Sequence, residues 1–196
     1  MEEGESPAMT NMGEAVAPEA GRERGRAARR SPRRIAQAGM ILLAAAVAVA
    51  LRLWVIESDI VEGSSMAPGL RSGDYLLISK LGRGRRVPRR FDVITFRAPL
   101  GKDVLIKRVV GLPGEFVWVW DKQVYVGGGR LHEPYVAKWK GAFDAPAGVG
   151  RDRVYVLGDN RDQSEDSRVW GPVPLSSVRG RALLVFFPFQ RARIIR

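Results

Sequence analysis

The chain of 196 residues contains no cysteine and a single histidine, His132. The absence of cysteine excludes a disulfide framework and a thiolate metal site, although it does not identify the compartment. One histidine excludes a zinc site built from several imidazoles. No clustered spacing of acidic residues indicates a carboxylate site for Mg²⁺ or Ca²⁺. We therefore expect neither a metal nor a cofactor.

Acidic residues are outnumbered by basic ones, and the net charge is +11. Such a balance is typical of proteins that bind nucleic acid or an anionic membrane surface. The basic charge is concentrated in residues 21–34, which hold seven arginines and one acid, whereas residues 1–20 hold five acids and no base. Because the arginine block directly precedes an apolar segment, it indicates the cytoplasmic flank of a membrane helix.

The apolar segment extends over residues 35–56, with Arg52 near its far end. A bilayer core requires about 20 helical residues, so this segment predicts one transmembrane helix. The N-terminus would be cytoplasmic and residues 57–196 would lie on the outer face. A cleaved secretory signal would have a shorter leader and a small-residue cleavage site, and a buried core helix would leave the arginine block unexplained. Residues 1–34 lack hydrophobic periodicity and are predicted to form a disordered cytoplasmic tail.

Beyond the apolar segment the pattern changes to short β-branched and aromatic runs separated by Gly, Pro and Asp. This pattern predicts a mainly β fold, either an antiparallel sandwich or a partly open barrel. Asp121-Lys122 indicates a tight hairpin, and residues 127–153 read as a small irregular insertion. The candidate strands are Asp74–Lys80, Phe91–Arg97, Val104–Val110, Phe116–Trp120, Gln123–Val126, Val154–Leu157 and Ala182–Phe187.

Ser65 lies in a short stretch, residues 63–70, that follows the apolar segment. Pro68 restricts the backbone, and a glycine at each end allows a sharp turn. Such a turn can hold a serine exposed, as a nucleophile requires. On this stretch alone, however, an ordinary serine-rich turn is the favoured interpretation.

Lys107 is the candidate base, because His132 lies in a loop-like stretch without a motif and is interpreted as a surface residue. With a period of two, Leu105, Lys107 and Val109 share one strand face. Burial on an apolar face would lower the pKa of the amine, while Arg108 on the other face would reach solvent or a carboxylate. By spacing alone, a lysine that snorkels at a sheet edge is the favoured interpretation.

Four collinear segments together resemble bacterial type I signal peptidase, also called leader peptidase. The resemblance covers about residues 35–190. One matching segment would be a weak signal, but four in the same order are specific. The segments are Ser65-Met66-Ala67-Pro68, Gly73-Asp74-Tyr75, Lys107-Arg108-Val109-Val110-Gly111-Leu112-Pro113-Gly114, and the polar segment at residues 158–168.

The resemblance implies a membrane-bound serine endopeptidase in which Ser65 is the nucleophile and Lys107 is the general base. An uncharged Lys107 would accept the Ser65 proton and later donate it to the leaving amine. The backbone N–H of Ser65 would contribute to the oxyanion hole. Some members of the family place a second donor, a serine hydroxyl, two residues before the nucleophile, where this chain has Gly63.

The polar segment at residues 158–168 resembles a family element that supports the catalytic pair. By itself such a segment would be a solvated turn or a rigid scaffold of Arg–carboxylate pairs. The resemblance implies that Ser164 orients the lysine amine and that Asp166 and Arg168 form a supporting ion pair. Asp159 of the same segment is also expected to be a supporting residue.

The implied substrates are exported preproteins whose signal segments lie in the lipid bilayer of the bacterial cytoplasmic membrane. Their small-x-small cleavage sites would emerge at the outer face close to Ser65, and tethering would raise the effective concentration. We expect no nucleic acid partner, and the sequence leaves the oligomeric state open. Candidates for lining shallow apolar pockets, or for contact with lipid, are Met66, Leu70, Ile94 and Phe96.

Two other functions compete with this one. A self-cleaving repressor-type protease would use the same serine and lysine pair on a related β scaffold, but the membrane segment and the lack of a DNA-binding module argue against it. A membrane-tethered basic module would bind nucleic acid or anionic lipid without catalysis. The sequence lacks the aromatic and basic strand face that a nucleic acid platform requires.

Overall fold

The computed structural model describes residues 32–82, 86–137, 139–141 and 144–195. Most of the predicted tail, residues 1–31, lies outside these ranges, and residues 32–34 belong to the first helix. The helices are α1 (Pro32–Trp54) and α2 (Ser167–Trp170). The strands are β1 (Ile56–Ile60), β2 (Tyr75–Ser79), β3 (Val93–Arg97), β4 (Val104–Gly111), β5 (Phe116–Trp120), β6 (Gln123–Val126), β7 (Gly129–Arg130), β8 (Asp144–Gly148), β9 (Arg153–Leu157), β10 (Val173–Pro174), β11 (Val178–Phe187) and β12 (Arg193–Ile194).

Helix α1 begins at Pro32, whose missing N–H is tolerated in the first turn, and continues through residues of high helix propensity such as Ala and Leu. Its apolar side chains are largely exposed, including 70% of Leu42 and 66% of Leu43. In the part of the chain that the structure describes, no helix is both long and apolar enough to cross a membrane.

The larger sheet is antiparallel and runs in the order β1-β2-β11-β3-β4-β9-β10, with β12 paired to β11. Strand β11 lies between β2 and β3 and joins the N-terminal and C-terminal parts of the domain. In the pairing of β3 with β4, Ile94 lies opposite Lys107. Because β4 lies between β3 and β9, Lys107 is on an interior strand of the sheet rather than on an edge strand.

The smaller sheet is also antiparallel and runs in the order β7-β6-β5-β8. Asp121 and Lys122 form the predicted tight hairpin between β5 and β6, with φ of 40° and 62°. Positive φ at both central residues is the geometry of a two-residue hairpin turn. Strands β7 and β8 lie within the segment at residues 127–153 that was expected to be irregular.

Strand β4 is shared between two hydrophobic clusters because successive side chains of a strand point to opposite faces. Val109 packs with Phe96 in one cluster, and Val110 packs with Val117 and Tyr155 in the other. Both faces of this half of β4 are therefore buried.

A glycine is needed at the end of β4, where two chain segments approach closely. A Cβ at Gly111 would lie 2.9 Å from Tyr155 Cβ and closer still to the Val117 side chain. The small sheet can pack against β4 and β9 only because this position carries no side chain.

The predicted mainly β, antiparallel class is confirmed, and seven strands overlap the predicted runs. Strand β1 differs from the sequence-based expectation, since it begins at Ile56, the last residue of the predicted membrane helix. It pairs with β2 over its whole length. Long-range pairing of this kind overrides the local apolar pattern that favoured a helix.

Candidate active site

Ser65 lies in the turn that connects β1 and β2, two residues after Gly63, which has a φ of +79°. The next residue, Met66, is buried, and its carbonyl accepts a hydrogen bond from the backbone N–H of Leu70 at 2.7 Å. Both apolar side chains belong to the cluster beneath the turn. Their packing fixes the turn against the core, and Ser65 itself is only partly buried.

Lys107 reaches Ser65 from strand β4. Its Nζ donates a hydrogen bond to Ser65 Oγ at 2.7 Å, and the residue is only 4% exposed. The two residues are 42 positions apart in sequence, so the contact depends on the packing of β4 beneath the turn. A hydrogen bond of this length is within proton-transfer reach.

Burial lowers the pKa of the Lys107 amine from its ordinary value. The carboxylates of Asp166, Asp159 and Glu165 oppose this effect, and the positive charge of Arg168 adds to it. The net shift of the pKa is downward, which is the direction that a lysine acting as a general base requires.

A cavity of about 220 Å³ contains both Ser65 and Lys107. Of the four predicted pocket residues, only Met66 lines it. Leu70 and Phe96 are buried in hydrophobic clusters, and Ile94 lines a separate cavity. The lining residues are Asp59, Ile60, Val61, Glu62, Ser65, Met66, Val104, Leu105, Ile106 and Lys107.

The segment that follows β9 is tied to the Ser65 turn by Asn160. The backbone N–H of Asn160 donates to the Ser65 carbonyl at 3.0 Å, and its side-chain amide donates to the Ser64 carbonyl at 3.1 Å. Asn160 thus holds two consecutive carbonyls of the turn. The sequence signal for this role is its place within the matched polar segment.

Asp159 forms a buried, bidentate ion pair with Arg108, the neighbour of Lys107 on β4. Arg108 Nε and Nη2 donate to the two carboxylate oxygens at 2.9 and 2.7 Å. Burial by itself would lower the pKa of the guanidinium, but the hydrogen bonds and charge of Asp159 raise it above its ordinary value. Arg108 was expected to reach either solvent or a carboxylate, and in the structure it binds the Asp159 carboxylate.

Asp166 and Arg168 form the ion pair that the family resemblance implies, with Arg168 Nε 2.8 Å from Asp166 Oδ1. Asp166 also caps helix α2 and accepts a hydrogen bond from the Gly158 N–H at 3.0 Å. Ser164 Oγ is buried and has no hydrogen-bond partner within the described residues. Its expected contact with the Lys107 amine is not among the hydrogen bonds of this structure.

Gly158 is enclosed by the groups that this segment brings together. A Cβ at this position would lie 2.6 Å from the Ser65 carbonyl oxygen and would also collide with the Ser164 side chain. Only glycine allows the segment to approach the Ser65 turn this closely.

Glu133 and Tyr135 contact the arginines next to the site, although no sequence pattern singles them out. Glu133 Oε1 accepts hydrogen bonds from Arg161 Nη2 at 2.6 Å and from the Tyr135 hydroxyl at 2.7 Å. The Arg108 guanidinium lies over the Tyr135 ring at 4.1 Å. A lone carboxylate in a Gly- and Pro-rich segment carries no local signal, so only the tertiary contacts reveal this role.

His132 is exposed, as expected, and is not among the residues that line the cavity of Ser65. The described ranges contain no group of three or more His, Asp or Glu side chains arranged to hold a metal ion. The chemistry that this arrangement can perform is proton transfer between an amine and a hydroxyl.

Comparison with known proteins finds similar sequences and structures. A family model described as "Signal peptidase, peptidase S26" matches residues 34–187. The chain is 37% identical over 161 residues to a probable signal peptidase I-2 of Synechocystis sp. (strain ATCC 27184 / PCC 6803 / Kazusa), covering 79% of this chain and 74% of the relative. It is 37% identical over 163 residues to signal peptidase I of Bacillus caldolyticus, covering 76% and 89%. A crystal structure of a signal peptidase I from Enterococcus faecalis V583 has 34% identity and a TM-score of 0.44, with 49% of this chain and 97% of that chain covered.

Proposed function

Since this chain belongs to the signal peptidase family, peptidase S26, we propose that Ser65 and an uncharged Lys107 carry out its reaction. Members of this family, this chain included, remove signal peptides from preproteins. The observation that supports the proposed pair most directly is the 2.7 Å hydrogen bond between Lys107 Nζ and Ser65 Oγ.

In the first step, Ser65 Oγ attacks the scissile carbonyl carbon while Lys107 Nζ takes the hydroxyl proton. The backbone N–H of Ser65 stabilises the oxyanion of the tetrahedral intermediate. Lys107 then donates the proton to the leaving amine, and an acyl-enzyme ester on Ser65 remains. In the second half, Lys107 activates a water molecule that hydrolyses the ester and releases the enzyme.

The polar segment after β9 has a positioning role in this proposal. Asp159 holds Arg108 beside Lys107, and Asp166 with Arg168 fixes the segment that carries Asn160 to the Ser65 turn. Ser164 is proposed to orient the Lys107 amine, and its buried hydroxyl is available for that bond. The substrate site would accept small side chains on either side of one intervening residue.

The test is cleavage of a signal-bearing preprotein by the purified full chain in detergent. Ser65→Ala and Lys107→Ala should each abolish cleavage. The matched controls, Ser64→Ala and Lys102→Ala, change an exposed serine and an exposed lysine and should retain it. Cleavage by either of the first two variants would contradict the assignment. Self-processing without cleavage of the added preprotein would instead favour the repressor-type alternative.

A pH–rate profile tests the protonation state of the base. Because burial lowers the Lys107 pKa, kcat/KM should rise with pH along an acid limb that lies below the ordinary lysine range. An acid limb at the pKa of a free lysine would contradict an uncharged base at neutral pH.

We also propose that the apolar part of α1, residues 35–54, anchors the chain in the bacterial cytoplasmic membrane, with the arginine-rich N-terminus in the cytoplasm and the β-rich part from Ile56 onward on the outer face. The exposed apolar side chains of α1, such as Leu42 and Leu43, support this proposal. The full chain should remain in the membrane fraction after carbonate extraction. A charge at the centre of a membrane helix costs about 2.5–3.5 kcal/mol, so Leu42→Arg combined with Leu43→Arg should release it. Release of the unaltered chain from the membrane fraction by carbonate would contradict the proposed membrane anchor.

A further inference from the structure

The cavity of Ser65 holds two carboxylates in a chain that is otherwise strongly basic. Its ionisable lining residues are Asp59, Glu62 and Lys107, while the whole chain has a net charge of +11. Because two carboxylates outnumber the one amine, the cavity has a net negative charge in either protonation state of Lys107. The carboxylates are not a site by themselves, but they share the cavity with the proposed nucleophile and base, to which a peptide must come.

Glu62 lies at the rim of the cavity and the floor is apolar, while Asp59, two residues before Val61, lies on the same strand face as that floor residue. Val61 and Met66 are 3% and 1% exposed, Glu62 is exposed, and Asp59 is half-buried. The alternation between buried Val61 and exposed Glu62 follows the period of two of an extended chain. Asp59 and Glu62 are three residues apart, which corresponds to about 10 Å of extended backbone.

A substrate bound in an extended conformation alternates in the same way. If two small side chains point to the apolar floor, the side chain between them points to the rim. That intervening side chain is then nearest to Glu62, and Asp59, which lines the same cavity, adds to the negative field there. A cationic group there would be attracted by them, and an anionic group would be repelled.

We propose that Asp59 and Glu62 are specificity-determining residues that favour a lysine or arginine between the two small residues of the cleavage site. This inference rests on the proposed function and adds a charge preference to it. Because the rim is open to solvent, the attraction has the size of an exposed ion pair, and we expect a preference of about threefold to fivefold in kcat/KM. The preference should decrease at high salt, since exposed charges are screened.

The experiment compares three otherwise identical peptides with Ala-Lys-Ala, Ala-Gln-Ala or Ala-Glu-Ala at the cleavage site, using the full chain in detergent. The expected order of kcat/KM is Lys, then Gln, then Glu. In the double variant Asp59→Asn/Glu62→Gln the Lys-to-Glu ratio should fall to about one. Asp152→Asn, which removes an exposed carboxylate that does not line the cavity, should keep the original ratio.

The ratio is measured on one enzyme preparation at a time, so partial unfolding of a variant does not change it. Equal rates for the three peptides would overturn the charge preference and leave the proposed function intact. A preference that persists in the double variant would also overturn it, because another group would then be responsible. Failure of the unaltered chain to cleave any of the peptides, or a signal-bearing preprotein, would overturn the proposed function itself.

Discussion

In the segment after β9, Arg161 and Arg168 each lie against a carboxylate, whereas the buried amine of Lys107 lies against a neutral hydroxyl. The segment after β9 and the surroundings of Lys107 are neighbours, and in both a basic side chain is largely buried. In the first, hydrogen bonds to Glu133 and Asp166 compensate for the lost hydration. In the second, no ion pair to Lys107 occurs among the described residues, and burial lowers its pKa.

The difference shows how one domain separates structural charge from chemical reactivity. A guanidinium that is paired with a carboxylate remains charged and fixes the position of the segments that it joins. An amine that is buried without a direct counter-ion can lose its proton near neutral pH and act as a base. The ion-paired network holds the segment after β9 next to Ser65, and the amine without an ion pair is the base in the proposed mechanism.

The largest effect on activity is expected when the Lys107 amine is replaced by a permanently charged group. Lys107→Arg should reduce kcat/KM by about 10⁴-fold or more, because guanidinium cannot deprotonate in a protein. Steady-state cleavage of a signal-bearing preprotein measures the loss. Substantial activity in this variant would show that the base is a different residue.

A large stability effect is expected when one partner of the paired region is removed. Arg108→Ala leaves the fully buried Asp159 carboxylate without its partner, and we expect a loss of about 3–5 kcal/mol in the free energy of unfolding. Urea denaturation followed by tryptophan fluorescence measures it. The double variant Arg108→Met/Asp159→Leu should recover much of the loss, and an equally unstable double variant would argue against an unpaired charge as its cause.

A smaller effect of opposite sign is expected when the unpaired amine is made apolar. Lys107→Met should raise the free energy of unfolding at pH 7 by about 1 kcal/mol, the range of typical stabilising substitutions. Between the lowered folded pKa and the ordinary value of 10.5, the unfolded chain binds more protons. The stability of the unaltered chain therefore rises with pH through this window.

The advantage of Lys107→Met should accordingly shrink as the pH approaches 10.5. Denaturation at several pH values tests this dependence, with Lys102→Met as the control at an exposed lysine. An advantage that does not change with pH would mean that packing, rather than deprotonation, explains the stabilisation.

The smallest effect is expected at a solvent-accessible ion pair. The Arg181 side chain is 48% exposed and lies 3.1 Å from Asp92. Arg181→Ala should cost less than about 1 kcal/mol, since exposed pairs are screened by solvent and salt. The same urea titration measures this loss, and one as large as that of Arg108→Ala would remove the distinction between buried and exposed pairs.

Much of the fold follows from local sequence patterns. The β-branched and aromatic runs predicted seven strands, and Asp121-Lys122 predicted the tight hairpin between β5 and β6. The strands that the patterns missed depend on distant partners. Strand β1 begins at the last residue of the apolar segment and pairs with β2, and the two-residue strands β7, β10 and β12 exist only through their neighbours.

The site was predictable to a similar extent. Ser65, Lys107 and the polar segment were named from four collinear motifs, and the structure brings Ser65 and Lys107 into direct contact. The pocket was less predictable, since only Met66 of the four candidates lines the cavity. Apolar composition alone does not distinguish a pocket wall from a core.

The order of the motifs and the type of each reacting group are properties of the sequence alone, because they need no knowledge of distant contacts. The protonation state of Lys107 was decided by the tertiary structure. It depends on how completely β4, the Ser65 turn and the segment after β9 exclude water from one nitrogen, and on how far the charges of Asp166 and Arg168 lie from it. Desolvation is a property of the whole surrounding volume, so no stretch of sequence specifies it by itself.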